Sequence, residues 1–229
     1  MAAGPVAVRE AATVVLLRDS ARGLQTWLLR RVPKMAFAAG MSVFPGGAVD
    51  PVDATGEVAG TAGAVAQTLG TTAEHAAVLL RAAVRELHEE TDVRLPPDCL
   101  HPWARWITPE AEPRRYDTYF FVAALPAGAT AAAVTGEASH ADWIAIADAL
   151  AEHERDERPM LPPTVLNLSE IGAFATVSAV LDAAAHRTVR PVRPSFRRNG
   201  AGAWCADLGD GRLLPLPESF RRASGDKLP

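Results

Sequence analysis

The stretch AAVRELHEETDV at residues 82–93 places three glutamates within five positions. Glu89 and Glu90 follow Glu86 at i+3 and i+4, so a helix would carry all three carboxylates on one side. Like charges at these spacings repel each other and destabilise a helix modestly. Either a solvated helix face tolerates the repulsion, or a bound cation removes it. The surrounding sequence has to distinguish these two interpretations.

The glutamates lie near the end of a predicted amphipathic helix. Strong helix formers occupy residues 72–91, with Thr71 or Thr72 as the expected N-cap and Glu74 in the first turn. The helix is expected to end near Asp92, before two prolines. Apolar residues recur at helical spacing along one face, at Ala76, Leu80, Val84 and Leu87.

A glycine-rich loop precedes this helix and includes Gly46 and Gly47. Adjacent glycines let the backbone turn tightly and approach a phosphate, although an ordinary turn is the alternative. Mg²⁺ prefers oxygen ligands and is commonly shared between protein carboxylates and substrate phosphates. Such a metal polarises a phosphoryl group and lowers the pKa of a bound water. The loop and the carboxylates suit a divalent metal, but taken alone a cluster of this kind is more often a solvated helix face.

Outside the loop and the helix, the patterns predict a mixture of strands and helices. Residues 11–19 and 24–32 predict a β-hairpin, and residues 51–70 predict a surface insertion with at most a short helix. A long helix is expected at about 165–186, with its apolar stripe in the core or, alternatively, at a dimer face. Further strands are expected within 103–109, 116–126 and 141–146, a short helix at 147–157, and short strands around Asn199-Gly200 and Asp210-Gly211.

Bulk composition excludes several classes of protein. The 229 residues are 48% hydrophobic, which is ample for one domain with a sizeable core. A net charge of -4 without a long basic run argues against a nucleic-acid partner. Cys99 and Cys205 form no CxxC pair, which argues against a zinc site. No apolar segment is long enough to span a membrane, and the N-terminus makes a poor signal peptide, so a cytoplasmic location is expected.

The sequence around the glutamates resembles the signature of the Nudix hydrolases, G-x5-E-x7-R-E-U-x-E-E-x-G-U, in which U is bulky and aliphatic. Phe44-Pro45-Gly46-Gly47 is the family's usual lead-in. Gly47 and Arg85 are 38 residues apart, much further than in the signature, which implies an insertion. Counted back from Arg85, the first glutamate of the signature falls at Ala77, and Asp92 replaces its last glycine. The second half matches in register at Arg85, Glu86, Leu87, Glu89, Glu90 and Val93.

This resemblance implies an α+β fold, a Nudix-type α/β/α sandwich with a mixed β-sheet. The whole chain, 1–229, would form a single Nudix hydrolase domain. Its additions would be the insertion at about 51–71, before the Nudix helix, and a helical extension at about 160–229 with an added C-terminal helix. A narrower resemblance links segments 43–50, 106–121 and 161–164 to the subgroup that contains the peroxisomal coenzyme A diphosphatases.

The resemblance also implies roles for individual residues. Glu86, Glu89 and Glu90 would bind Mg²⁺ or Mn²⁺, with Glu137 as a further ligand or base, and Arg85 would hold Glu86 or the loop in place. These four residues of the signature, Arg85 with the three glutamates, would form the catalytic group. The expected substrate-binding residues are Arg31, Phe44, Gly46, Gly47 and Arg115.

The implied activity is metal-dependent hydrolysis of the diphosphate linkage in a nucleoside diphosphate joined to another group, X. The partner would be a small-molecule nucleotide, and coenzyme A is one candidate. Two alternatives stay open at this point. One is a non-catalytic nucleotide sensor with a Nudix-like fold, favoured by Ala77 and Asp92. The other is a scaffold protein that forms a homodimer through the 165–186 helix.

Overall fold

The structure is a computed structural model that describes residues 7–32, 38–57, 59–110, 112, 114–134, 136 and 138–216. The strands are β1 (Val8–Ser20), β2 (Gly23–Arg31), β3 (Ser42–Val43), β4 (Gly46–Ala48), β5 (His101–Ile107), β6 (Arg115–Ala124), β7 (Ala138–Ala145), β8 (Pro191–Val192), β9 (Ser195–Arg198), β10 (Trp204–Asp207) and β11 (Leu213–Pro215). The α-helices are α1 (Ala62–Leu69), α2 (Ala73–Thr91), α3 (Ile146–Glu154), α4 (Pro162–Ile171) and α5 (Val177–Ala185). Short 3₁₀ turns occupy Pro51–Ala54 and Pro97–Cys99.

The main sheet has eight strands and is mixed, as expected. Its central path is β3-β2-β1-β6-β5-β8, with β4 paired to β1 and β7 paired to β2. The pairs β1–β6 and β5–β8 are parallel, and the other pairs are antiparallel. The predicted hairpin is confirmed, because Ser20 pairs with Gly23 at its tip.

Helices cover both faces of this sheet, which confirms the α/β/α sandwich. Side chains alternate between the two faces of a strand, and β1 shows this directly. Val14 and Leu16 pack in one core with α1 and α2, whereas Val15 and Leu17 pack in a second core with α3, α4 and α5. The central strand β1 is therefore buried on both sides, which explains its continuous apolar run.

The α2 helix begins and ends where the sequence predicts. The Thr72 hydroxyl accepts a hydrogen bond from the His75 N–H at 3.2 Å and so caps the first turn. Asp92 adopts the left-handed conformation, with φ 57°, at the C-cap. Asp visits this region more readily than most residues, so it ends the helix in place of the glycine of the signature.

The insertion contributes to the core, which corrects the expectation that it lies on the surface. It contains the 3₁₀ turn and α1, and α1 packs against α2. Half of the buried side chains of α1 are alanines, which explains why the hydrophobic period of the sequence is weak. At the start of α1, the N–H and the hydroxyl of Thr61 donate to one oxygen of Asp98, at 3.1 and 2.9 Å. The buried side chains of α1 are Ala62, Val65, Ala66 and Leu69.

The prediction of a single long helix at 165–186 is wrong, because the helical conformation is interrupted between α4 and α5. Thr176 caps α5 by accepting the Ala179 N–H at 3.2 Å, and Asp19 of the hairpin accepts the Val177 N–H at 2.9 Å. Both helices face the same core, where Ile171 and Val177 are buried. The apolar stripe therefore serves core packing, and its period continues across the break.

The C-terminal extension is only partly helical, which corrects the helical extension expected at about 160–229. After α5, strands β9, β10 and β11 form a separate antiparallel sheet, and the predicted turns lie between them. Ala206 and Leu216 of this region pack with Met41, which lies just before the glycine loop. Within the described residues, no helix is both long and apolar enough to cross a membrane.

Replacing Asp92 with glycine tests the helix cap. We expect Asp92→Gly to raise the free energy of unfolding by about 0.5–1 kcal/mol, because glycine adopts positive φ without a Cβ clash. The lost contact to His88 Nδ1 is 3.6 Å long, which is beyond hydrogen-bonding distance, and the Asp92 side chain is 69% exposed, so the contact should contribute little. Urea unfolding measures the change. Asp92→Ala is the control and should lower stability, and a glycine variant less stable than the wild type would contradict this account of the cap.

Candidate active site

The predicted loop and the predicted helix meet where β4 lies beside α2. Antiparallel pairing to β1 fixes β4, with Gly46 opposite Thr13 and Gly47 opposite Ala12. The Gly46 N–H then donates to Glu90 Oε2 at 2.9 Å. Glu90 is only 8% exposed, so this hydrogen bond holds a buried carboxylate against the loop. Two segments 44 residues apart in the chain thus form one polar surface.

Both glycines are required by close contacts. A Cβ on Gly47 would lie 2.4–2.6 Å from the carboxylate atoms of Glu86. A Cβ on Gly46 would lie 2.6 Å from the main chain of β1, at the Ala12 carbonyl oxygen and Thr13 Cα. These separations are shorter than any van der Waals contact, so only glycine lets Glu86 and β1 approach β4 this closely.

Arg85 joins the loop to the glutamates. Its Nη1 donates to Glu86 Oε1 at 2.8 Å and to Glu89 Oε2 at 3.2 Å, and its Nη2 donates to the Ala48 carbonyl at 3.0 Å. Its guanidinium also forms a bidentate pair with Asp53, at 3.0 and 2.8 Å. The hydrogen bonds to Asp53 are the main cause that raises the pKa of Arg85, which therefore stays charged.

Asp53 is a site residue that the sequence analysis missed. It lies in the 3₁₀ turn of the insertion and is 3% exposed. Burial acts to raise the pKa of Asp53, but hydrogen bonds from Arg85 and from the Asp50 N–H outweigh it and lower the pKa. Asp53 is consequently a buried, ionised carboxylate, and both of its oxygens accept hydrogen bonds from Arg85.

A signal for Asp53 is present in the sequence. Five residues separate Gly47 from Asp53, which is the G-x5-E spacing of the signature when it is counted forward from the glycine. Counting backward from Arg85 gave Ala77, whose side chain is 1% exposed in the core. Asp53 therefore offers an acid at the signature spacing, which Ala77 does not. The segment at about 51–71 thus carries this acid in its first turn, and the residues that lengthen the signature follow it.

The environment of Glu86 is strongly acidic. Burial is the main cause that raises the pKa of Glu86, and the charges of Glu89 and Asp50 raise it further, against the opposing effect of Arg85. A half-buried carboxylate in this state disfavours its own negative charge. A cation at this place would favour the charged form, as expected for a metal ligand.

The three glutamates suit a divalent metal as a donor set, because Mg²⁺ and Mn²⁺ prefer carboxylate oxygens. In the part of the chain that the structure describes, no three acidic, histidine or cysteine side chains converge enough to enclose an ion. In the structure, Glu86 and Glu89 both accept from Arg85, and Glu90 accepts from Gly46. Glu137, the fourth expected ligand, lies outside the described residues.

The other predicted substrate-binding residues lie in varied surroundings. Arg31 ends β2 where its pairing with β7 shifts, and its N–H donates to the Met41 carbonyl at 3.0 Å. Arg115 begins β6 and donates from Nε to the Thr108 carbonyl at 3.3 Å. Phe44 is 3% exposed and packs edge to face on Phe120, so its side chain serves the core and offers little surface to a ligand.

A cavity of about 420 Å³ lies elsewhere, between the hairpin, β7 and α3. Charged side chains line it and already have partners: Arg22 pairs with Asp148 at 2.7 Å, and Asp142 pairs at 3.0 Å with Arg158, which lies outside the lining. None of the predicted site residues lines this cavity. The residues that match the signature lie instead on the surface between β4 and α2.

Comparison with known proteins identifies the family of the chain. The NUDIX domain profile matches residues 8–163. The chain is similar to the NUDIX hydrolase from Alicyclobacillus acidocaldarius, with a TM-score of 0.65 and 25% identity over 77% of this chain and 96% of that one. The NUDIX domain of Shewanella oneidensis NrtR, solved with ADP ribose, has a TM-score of 0.50 and 16% identity over 72% and 88%, which shows the fold alone. No curated protein sequence gives a match.

Two-thirds of the chain thus lies within one family profile, and the signature residues of that family meet at β4 and α2. Members of this family generally use divalent metals. The chain therefore belongs to the NUDIX domain family and is an enzyme of its pyrophosphate hydrolase type.

Proposed function

We propose that the protein hydrolyses the diphosphate linkage of a nucleoside diphosphate joined to a group X, and that it requires Mg²⁺ or Mn²⁺. The observation that carries the proposal is the meeting of Gly46 and Gly47 with Arg85 and the three glutamates. This surface combines a main chain without side chains, where phosphate oxygens can approach, with carboxylates for a metal.

The proposal assigns a task to Arg85 and to each of the three glutamates. Glu86, Glu89 and Glu90 would hold the metal, which when bound polarises phosphoryl oxygens and lowers the pKa of water. Arg85 orients Glu86 and Glu89 and keeps β4 in place through the Ala48 carbonyl. One carboxylate of the cluster accepts a proton from the attacking water. The water oxygen then bonds to phosphorus as the bond to the bridging oxygen breaks.

The identity of X depends on surfaces outside this centre. Coenzyme A is one candidate, from the resemblance of segments 43–50, 106–121 and 161–164, and ADP-ribose, dinucleoside polyphosphates and NAD-type compounds present the same diphosphate. The C-terminal sheet packs on Met41, just before the glycine loop, so it is placed to contribute to selectivity. A cytoplasmic location and a homodimer stay predictions, and the stripe on α4 and α5 is used by the core.

The alternative of a non-catalytic sensor has lost its two supports. Asp53 supplies the acid that seemed to be missing at Ala77, and Asp92 ends α2 in the left-handed conformation that the signature glycine would adopt. Calorimetry separates the two functions. Tight binding of an intact nucleotide without metal would favour the sensor, whereas turnover would exclude it.

Replacing Glu90 tests the proposed reaction. Glu90→Gln keeps an oxygen that can accept the Gly46 N–H but removes the charge. We expect kcat/KM to fall at least about 100-fold, since even indirect partners of a metal commonly contribute 10- to 100-fold. The assay is product identification with Mg²⁺ on a panel of diphosphate compounds. Glu154→Gln, an exposed position on α3, is the matched control. Absence of nucleotide product from every compound, or equal rates for both variants, would refute the proposal.

Replacing Gly47 tests whether the close approach of Glu86 matters for activity. In Gly47→Ala the new methyl group takes the place of the Glu86 carboxylate, which is the flexible end of its side chain and can move. We expect a loss in the free energy of unfolding of no more than about 1–2 kcal/mol, but a fall in kcat of about 100-fold from the displaced group. Gly63→Ala is the control, because nothing lies within 4 Å of its added methyl. Full activity in Gly47→Ala would show that the position of Glu86 is unimportant.

A further inference from the structure

Two arginines lie one turn apart on the face of α2 that meets the insertion. Arg81 and Arg85 are separated by four residues, a spacing at which like charges repel and destabilise a helix. Both side chains bind the same segment of the insertion. Arg85 binds the Asp53 carboxylate, and Arg81 binds the main-chain carbonyls of Asp53 and Glu57. The pair of charges is therefore accounted for by one shared partner.

Arg81 is surrounded by the turn that follows Asp53. Its Nε donates to the Asp53 carbonyl at 2.7 Å, and its Nη1 donates to the Glu57 carbonyl at 2.8 Å. Gly56 has a φ of 131°, which L side chains rarely adopt, and a Cβ there would lie 3.1 Å from Arg81 Cδ. The turn thus has a conformation that fits around this one side chain.

These contacts fix Asp53 from two directions. Arg81 holds its carbonyl, while the Asp50 N–H donates to Asp53 Oδ2 at 2.9 Å. With both ends held, the two carboxylate oxygens face Arg85 Nε and Nη2. Arg85 in turn orients Glu86 and Glu89 from its Nη1. A continuous series of hydrogen bonds therefore runs from Arg81 to the proposed metal ligands.

We infer that Arg81 is a positioning residue for the proposed hydrolysis, acting through Asp53 and Arg85. The inference rests on the proposed function, but its geometrical part can be measured without any reaction. Arg81 touches none of the glutamates in the contacts described, so its effect must pass through the insertion. The insertion is then part of the catalytic machinery of this chain, and its first turn is the part that matters.

The experiment compares Arg81→Gln with Asp98→Asn. Asp98 holds the start of α1 through Thr61, so its replacement loosens the same insertion without touching Asp53 or Arg85. The first measurement is solvent exchange of the Arg85 Nε–H in metal-free protein by nitrogen-15 NMR, with Arg85→Lys used to assign the signal. We expect exchange to be about 10-fold faster in Arg81→Gln, and unchanged in Asp98→Asn.

Two further measurements connect the geometry with function. We expect Arg81→Gln to weaken Mn²⁺ binding, followed by electron paramagnetic resonance, about 10-fold, and to lower kcat about 10-fold with little change in KM. Arg81→Gln and Asp53→Asn should be strongly non-additive in kcat, because they interrupt one series of contacts. If Arg81→Gln does not fold, Arg81→Lys, which can reach only one of the two carbonyls, is judged by the same criteria.

The outcomes separate this inference from the proposed function. Unchanged Arg85 exchange in the Arg81 variant, or equal changes in the Arg81 and Asp98 variants, would overturn the positioning role. Additive effects of the Arg81 and Asp53 replacements would overturn it as well. If the wild type hydrolyses no diphosphate compound while Arg85 exchange still responds to Arg81 alone, the positioning role stands and the proposed function falls.

Discussion

The guanidinium of Arg85 is the interaction on which the site depends. Its donors reach a buried carboxylate of the insertion, a main-chain carbonyl of β4 and two glutamates of its own helix. A planar group with a fixed set of donors can satisfy these partners together only if the insertion, β4 and α2 keep one relative position. The orientation of Glu86 and Glu89 therefore depends, through Arg85, on the relative position of these three segments.

The charges around Arg85 do not balance, and this imbalance supports a metal site. Asp50, Asp53 and the three glutamates supply five carboxylates within this region, whereas Arg81 and Arg85 supply two positive charges. The excess of negative charge acts on Glu86, whose pKa is raised by burial and by its acidic neighbours. Partly buried charges are screened weakly by salt, so a divalent cation is a more effective counter-charge than solvent ions.

Local patterns predicted the elements well, and non-local contacts explain the failures. The period of α2, its Thr72 cap and the hairpin all depend on residues close in sequence, and all three are confirmed. Asp53 was missed because its partner Arg85 is 32 residues away, and a spacing rule cannot say where inside the gap an insertion lies. The break after α4 was missed because both helices face one core, so the apolar period persists across it. The packing of α1 in the core was missed because half of its buried side chains are alanines, which give a weak apolar period.

The position of the insertion changes how the site is formed during folding. In a compact signature, the acid and the arginine would be joined by a short loop, whose closure has a small entropic cost. Here α1 lies between Asp53 and Arg85 and buries its apolar side against α2. That burial provides the favourable free energy that closes the longer loop. The contact between the acid and its arginine is thus stabilised by the packing of α1 on α2, so the orientation of Glu86 and Glu89 depends on contacts that α2 alone does not contain.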